Sequence, residues 1–461
     1  MVSPRAGAVA LLLACAGCGA PAPDADAGPQ RVVVLFLVDT LRADRLSTYG
    51  HTRETSPNLD RLAATGVVFE QAWSPAPWTL PATASLLTGL DPTAHGAGFS
   101  GEWRDLDASL PNGLAEGVVT LPERLSDAGW RCEAMVTNPF VGFGLERGFE
   151  RFELAQTEGA DVVRFGLERL DVADERPLFL LLHLMDAHDP LLVPDEDVLT
   201  IADGQGQVPL WSRTFEFIEE RVEHRDERLR TYDGAVRYVD RQLGVLLDGL
   251  EARGMLARTT VAFTSDHGEE LFETSALQTT ARYRRPERTR ALGHGHVLFE
   301  EVQRVPLVIG GAGLEARAGQ RRRDLVASHD LAPTLLDLAD VAHDPSDLDA
   351  RSLAPWIAGG EAAPRAVVAT GIAYGPDRWG LVRDGFEFVQ GGEGEEDVLV
   401  EVGGDERRDL SREQPQLAAE LRSDLEAARQ LAKVRTGSQL ELSDAERERL
   451  QAIGYLAGDE H

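Results

Sequence analysis

The chain has 461 residues, 43% of them hydrophobic, and a formal net charge of -31. That length leaves room for a large α/β domain with a smaller one beside it, and the apolar content is ordinary for a globular protein. The acidic balance excludes a nucleic acid polymer as a general partner, because phosphate backbones need a basic face.

The first segment is informative. Arg5 precedes an apolar run, residues 8–14, that ends in Cys15-Ala16-Gly17-Cys18. The run is too short for a permanent bilayer span and reads as an export signal. Ala16-Gly17-Cys18 has the pattern of a bacterial lipoprotein cleavage site, with Cys15 as the competing position. The expected product is anchored to the cell envelope by a lipid on Cys18, or else secreted. Residues 1–18 are then signal and 19–30, GAPAPDADAGPQ, a flexible tether. Only Cys132 remains beyond them, so no disulfide framework is implied.

Residues 31–38, RVVVLFLV, form a short apolar run rich in β-branched residues. That is the pattern of a strand buried on both faces of a parallel sheet. Residues 178–183 and 260–264 look the same, and 305–309 is a weaker case. Helical patterns lie between them. Leu59, Leu62 and Ala63 mark one helix, and Leu121, Leu125 and Ala128 another. Leu229, Tyr232, Val236, Val239, Leu243, Leu246 and Leu250 keep helical spacing along a third. Strands alternating with helices predict an α/β fold with a large, mainly parallel sheet over residues 31–345. Residues 346–461 predict a smaller α+β subdomain: short strands at 367–369, 380–383, 386–389 and 397–402, then helices over 416–434 and 443–453.

Ligands of open α/β sheets bind beyond the carboxyl ends of the strands. The first run ends in Val38-Asp39-Thr40, the second in His183-Leu-Met-Asp186-Ala-His188, the third in Asp266-His267-Gly268, and His294 and His296 lie just before the fourth. Five of the chain's 11 histidines fall in these segments. Each motif alone also fits a turn, a cap or a solvated loop. Together they predict a divalent metal site of oxygen and imidazole ligands. Such a set suits Zn or Mn better than Ca or Mg, which favour oxygen alone.

Thr79 opens a helical pattern, WTLPATASLLTG. It reads as a cap residue at a helix N-terminus, where free amides and the helix dipole attract an anion. A threonine hydroxyl alone is a poor nucleophile. A divalent cation lowers the pKa of an oxygen it holds, taking water from 15.7 to about 7 in the zinc case. Thr79 is therefore the candidate nucleophile toward an anionic ester, and a cap role does not compete with that. Asn138, Arg42 and His294 are the candidate substrate-binding side chains. Asp186, His188 and His296 are candidates for a second metal. The arginines at 282, 284, 285, 288 and 290 form a candidate gate for an anionic substrate, or a solvated loop.

The pieces VDTLRADRLSTYG (38–50), WTLPATASLLTG (78–89), HLMDAHDP (183–190), TSDHGEEL (264–271) and GHGHVLFEEVQRVPLVI (293–309) together resemble the sulfatase-like branch of the alkaline phosphatase superfamily. The resemblance implies that Asp39, Asp266 and His267 bind metal and that Thr79 stands at the nucleophile position. It also implies that His188 lies near substrate, and that His294 or His296 serves the leaving group or the anion. The departures matter equally. Sulfatases carry a cysteine or serine that matures to formylglycine, with an arginine four residues on; here those positions are Thr79 and Thr83. The second aspartate of the usual pair is Thr40, and the usual asparagine after the late aspartate is His267. This constellation resembles the threonine-nucleophile members, which act on phosphoesters. The expected function is phosphoester hydrolysis or phosphoryl transfer through Thr79. The alternatives are sulfate-ester hydrolysis without formylglycine, and a non-catalytic surface protein that binds anionic glycans or lipids.

Overall fold

The computed structural model describes residues 30–99, 103–105, 109–188, 191, 225–271, 292–314, 317–392, 395–404 and 408–452. The expected export signal with Cys15 and Cys18, the expected tether up to residue 29, and the arginines at 282–290 lie outside the described residues.

The eight strands of the main sheet are β1 (Val32–Val38), β2 (Gly66–Trp73), β3 (Arg131–Val136), β4 (Arg151–Leu154), β5 (Leu178–Leu184), β6 (Thr259–Ser265), β7 (Arg304–Gly311) and β8 (Gln320–Ala327). Their order across the sheet is β8-β2-β7-β6-β1-β5-β3-β4. β1 sits inside, parallel to β5 on one side and to β6 on the other. All seven of its residues are buried. Val33, Leu35 and Leu37 enter one core; Val32, Val34, Phe36 and Val38 enter the other. The period-2 geometry of a strand divides them this way, and a strand covered on both faces can therefore be apolar throughout. β7 is the exception to the parallel reading of the apolar runs: it lies antiparallel to both β2 and β6.

Helices cover both faces. Leu80, Ala84, Leu86 and Leu87 of α2 (Thr79–Thr88) pack in the first core, with Leu121 and Leu125 of α3 (Leu121–Asp127). The second core holds Leu59 and Leu62 of α1 (Pro57–Ala63), Val162 and Val163 of α4 (Gly159–Leu170), and the apolar stripe Tyr232 to Leu250 of α5 (Arg225–Ala252). α3 starts on Thr120, which forms a reciprocal capping box with Glu123. A second, antiparallel sheet has the order β9 (Val367–Ala369), β10 (Trp379–Arg383), β11 (Phe386–Gln390) and β12 (Val398–Glu401). α6 (Pro415–Leu431) packs Leu421 and Leu425 on it. Among the described residues, no helix is long and apolar enough to cross a membrane.

Phe36 is fully buried and stacks on Phe263 of the neighbouring strand with centroids 5.5 Å apart. Removing such a ring loses its transfer free energy and leaves a cavity. Phe36→Ala should cost about 3–5 kcal/mol of unfolding free energy in a urea titration followed by circular dichroism. A loss below about 1 kcal/mol would show that β1 is not the packed centre of the sheet.

Candidate active site

The parallel strands end on one rim, and each delivers a polar side chain there. Asp39 follows β1, Asn138 comes two residues after β3, His183 is the penultimate residue of β5, and Asp266 and His267 follow β6. All five side chains are buried. The chain ends of β1 and β6 are tied together behind them. Ser265 Oγ lies 2.6 Å from the carbonyls of both Val38 and His267, which share its one proton, and accepts from the Leu41 amide at 2.9 Å. Tyr232 Oη donates to the Thr40 carbonyl at 2.5 Å and accepts from the Arg42 amide. Thr40 has φ 59, a left-handed conformation that a β-branched residue rarely adopts. The turn directs its amide toward Asp266 Oδ1, 3.4 Å away. Gly268 cannot be replaced in place: a Cβ there would collide with the Glu301 carbonyl.

Thr79 is the first residue of α2, not its cap. The N-cap is Trp78, in extended conformation, and no side chain caps the helix. The physical reason is that the Thr79 hydroxyl turns away from the helix amides. It lies 3.5 Å from Asp39 Oδ2 and 3.4 Å from His267 Nε2, and it accepts from Asn138 Nδ2 at 3.1 Å. Asn138 Nδ2 also donates to Asp39 Oδ2 at 2.7 Å, while its oxygen accepts from the Phe140 amide. Trp78 holds the helix start. Its Nε1 donates to the Gly371 carbonyl, and its ring meets Phe140 edge-on at 5.3 Å.

Three imidazoles gather beside this group. The His267 and His294 ring centroids are 4.5 Å apart, and those of His188 and His294 are 5.1 Å apart. Other expected residues stand elsewhere. Asp186 accepts from the Gly159 amide at the start of α4, so it braces that helix. His296 is committed at both ring nitrogens, to Glu270 Oε2 at 2.9 Å and to the His294 carbonyl at 3.0 Å. Asp186 and His296 are thus placed with these partners, while His188 stands beside His294. Arg42 donates to Asp44 and to the Glu269 carbonyl. Those bonds tie it to the turn after β1 and to the segment after β6.

The electrostatics point to a missing positive charge. Burial, and then the charge of Asp266, pushes the Asp39 carboxyl up to about 6. Burial pushes Asp266 up to about 7. Burial presses His267 down to about 4 and His183 to about 3, so both rings are neutral. Asp39 Oδ1, Asp266 Oδ2 and His183 Nε2 are buried without a hydrogen-bond partner. Buried polar atoms are rarely left so. One ligand atom from each of Asp39, His183 and Asp266, a carboxylate oxygen or a ring nitrogen, lies within 4.8 Å of the other two. Two carboxylates and an imidazole fit a divalent cation. His183 had no assigned role in the sequence reading, although the signal was there: a histidine closing an otherwise apolar strand, LFLLLH.

Fold and site together define an α/β protein with a metal-capable centre beyond the carboxyl ends of its parallel strands. The sulfatase family profile matches residues 31–341, and the chain belongs to that family of ester hydrolases. Bovine (Bos taurus) arylsulfatase A is 27% identical over 384 residues, 77% of this chain and 72% of that protein. A sulfatase of Formosa agariphila is 24% identical over 428 residues, 79% of this chain and 80% of that protein. Among solved structures, the phosphonate monoester hydrolase of Agrobacterium radiobacter superposes with a TM-score of 0.67 at 18% identity, covering 88% of this chain and 96% of that one. BT4656, solved with its substrate D-glucosamine-2-N,6-O-disulfate, also gives 0.67, at 19% identity over 87% and 98%.

A cation entering this site must displace the protons that burial retains on Asp39 and Asp266. Divalent-ion affinity should therefore rise as pH climbs from about 5.5 to about 8, with proton release on binding at the acid end. Calorimetry in buffers of different ionisation enthalpy measures both. Affinity independent of pH across that range would contradict the buried-carboxyl picture.

Proposed function

We propose that this chain is an exported, metal-dependent hydrolase that cleaves phosphoesters with Thr79 as nucleophile. The observation that carries the reading is the position of Thr79 Oγ1, within 3.1–3.5 Å of Asn138 Nδ2, His267 Nε2 and Asp39 Oδ2. Asp39, Thr79, Asp266 and His267 are the residues that would hold the cation. When bound, that cation supplies positive charge to the attacking oxygen and to the ester oxygens. Asn138 orients the hydroxyl by donating to it. Thr79 Oγ1 passes its proton to Asp39 Oδ2, 3.5 Å away, and forms a bond to phosphorus as the bond to the leaving oxygen breaks. The leaving oxygen takes a proton from the imidazole of His188 or His294. Water then cleaves the phospho-threonine. Support for phosphorus chemistry is twofold: a threonine cannot mature into formylglycine, and a phosphonate monoester hydrolase shares the fold.

Sulfate-ester cleavage by the same hydroxyl is the second reading, favoured by the arylsulfatases among the relatives. Sulfate and phosphate esters share tetrahedral geometry, so turnover of 4-nitrophenyl phosphate, bis-phosphate and sulfate with added Zn or Mn separates the two. Phosphoester turnover is expected to dominate and to disappear on dialysis against a chelator. Thr79→Ala should lower kcat/KM by about 10⁴ or more, while Thr79→Ser retains measurable activity. Undiminished turnover by Thr79→Ala would end the proposal.

The leader with Ala16-Gly17-Cys18 supports a lipid-anchored product. Cells fed labelled palmitate should label the wild-type protein but not Cys18→Ala. Equal labelling of the two would move the anchor to Cys15 or elsewhere.

A further inference from the structure

We propose that His183 is a protein ligand of the cation and that Thr137 sets its tautomer, giving the site its preference for zinc-type ions over calcium. The inference rests on the metal-site reading above and adds two residues to it. His183 is fully buried at the end of β5, paired in register with Leu37 of β1. Its Nδ1 lies 3.3 Å from Thr137 Oγ1. Thr137 has one hydroxyl proton, and that proton goes to the His183 carbonyl at 3.1 Å. The Nδ1 contact then requires the ring proton on Nδ1. Nε2 is left with a lone pair and no hydrogen-bond partner.

That lone pair faces carboxylate oxygen: Asp39 Oδ2 is 3.7 Å away, and the ligand atoms of Asp39, Asp266 and His183 lie within 4.8 Å of one another. Lone pairs of three buried groups share such a space stably only when a carboxyl keeps its proton or a cation lies among them. A bland reading exists, in which His183 is a strand residue satisfied by its neighbours. The partnerless Nε2 argues against it. Metal-bound histidines usually donate the other ring N–H to a fixed acceptor, which holds the ring in place and sets the tautomer. Thr137 Oγ1 fills that role. A buried imidazole adds a nitrogen donor that calcium, which takes oxygen ligands, does not seek.

The test uses the full chain stripped of metal, then loaded with zinc or calcium alone. X-ray absorption of the zinc form should count two imidazoles in the wild type, from His183 and His267, and one fewer in His183→Gln. His183→Gln should bind zinc at least about tenfold more weakly, with calcium affinity changed by less than about threefold. Thr137→Val keeps the side-chain shape and should also weaken zinc binding without weakening calcium binding. Circular dichroism checks that each variant is folded. If His183→Gln does not fold, the wild-type count and Thr137→Val decide. Unchanged zinc affinity and imidazole count in folded His183→Gln, with binding lost in Asp266→Asn, would overturn the proposal and leave the metal site standing. A wild type that takes up neither ion would overturn both.

Discussion

Two carboxylates, Asp39 and Asp266, are buried next to each other at the ends of two adjacent parallel strands. Removing an ionised carboxylate from water costs several kcal/mol even after the protein relaxes. Two of them side by side add mutual repulsion, which is why the charge of Asp266 contributes to the raised Asp39 carboxyl. No arginine or lysine forms an ion pair with either one among the described residues, where the recorded partners are imidazoles. The pair is tolerable in two conditions: protonated, or holding a cation. A centre with these two options suits a divalent cation. The neutral imidazoles lie close enough to complete a ligand set, and the Thr79 hydroxyl is held near the oxygens that a cation would polarise.

The rigidity of that arrangement comes from behind the site. β1, β5 and β6 share one register, so Val38, Leu184 and Ser265 end level with each other. Ser265 and Tyr232 then fasten the turn after β1 through backbone contacts, and Trp78 fixes the start of α2. A site built on strand ends and one helix terminus holds its geometry better than a site carried on loops. The left-handed backbone at Thr40 fits this picture. It is a local strain that the surrounding hydrogen bonds over-determine, and strain of this kind gathers at functional positions.

Much of this was legible in the chain, and the failures have physical causes. β1 and β5 were readable because both faces are buried, which makes β1 apolar throughout and β5 apolar but for His183. β8 was not, because it is an edge strand whose residues Arg321, Arg322, Arg323 and Asp324 carry the charges that keep edges from pairing. Asp39, Asp266 and His267 were readable from their place after strands. His183 was hidden by lying inside one: periodicity treats it as core, and only the shared register with β1 brings it to the carboxylates. His296 and Asp186 show the opposite case. They lie in the right segments, but Glu270 and the Gly159 amide claim them, and those partners are set by packing that spacing does not encode.

The acidic surface sharpens the argument for the centre. A chain of net charge -31 repels anions at long range, yet its family acts on esters that carry negative charge. At physiological ionic strength the screening length is about 8 Å, so the distant charges fade before a substrate arrives. What remains is local. Buried groups are screened far less than surface ones, and the groups paired with Asp39 and Asp266 are imidazoles. Neutral as His267 and His183 are, they cannot supply that charge without help. A cation seated between Asp39 and Asp266 resolves both problems at once: it neutralises two carboxylates that burial disfavours, and it turns an anion-repelling pocket into one that attracts anions to within reach of Thr79.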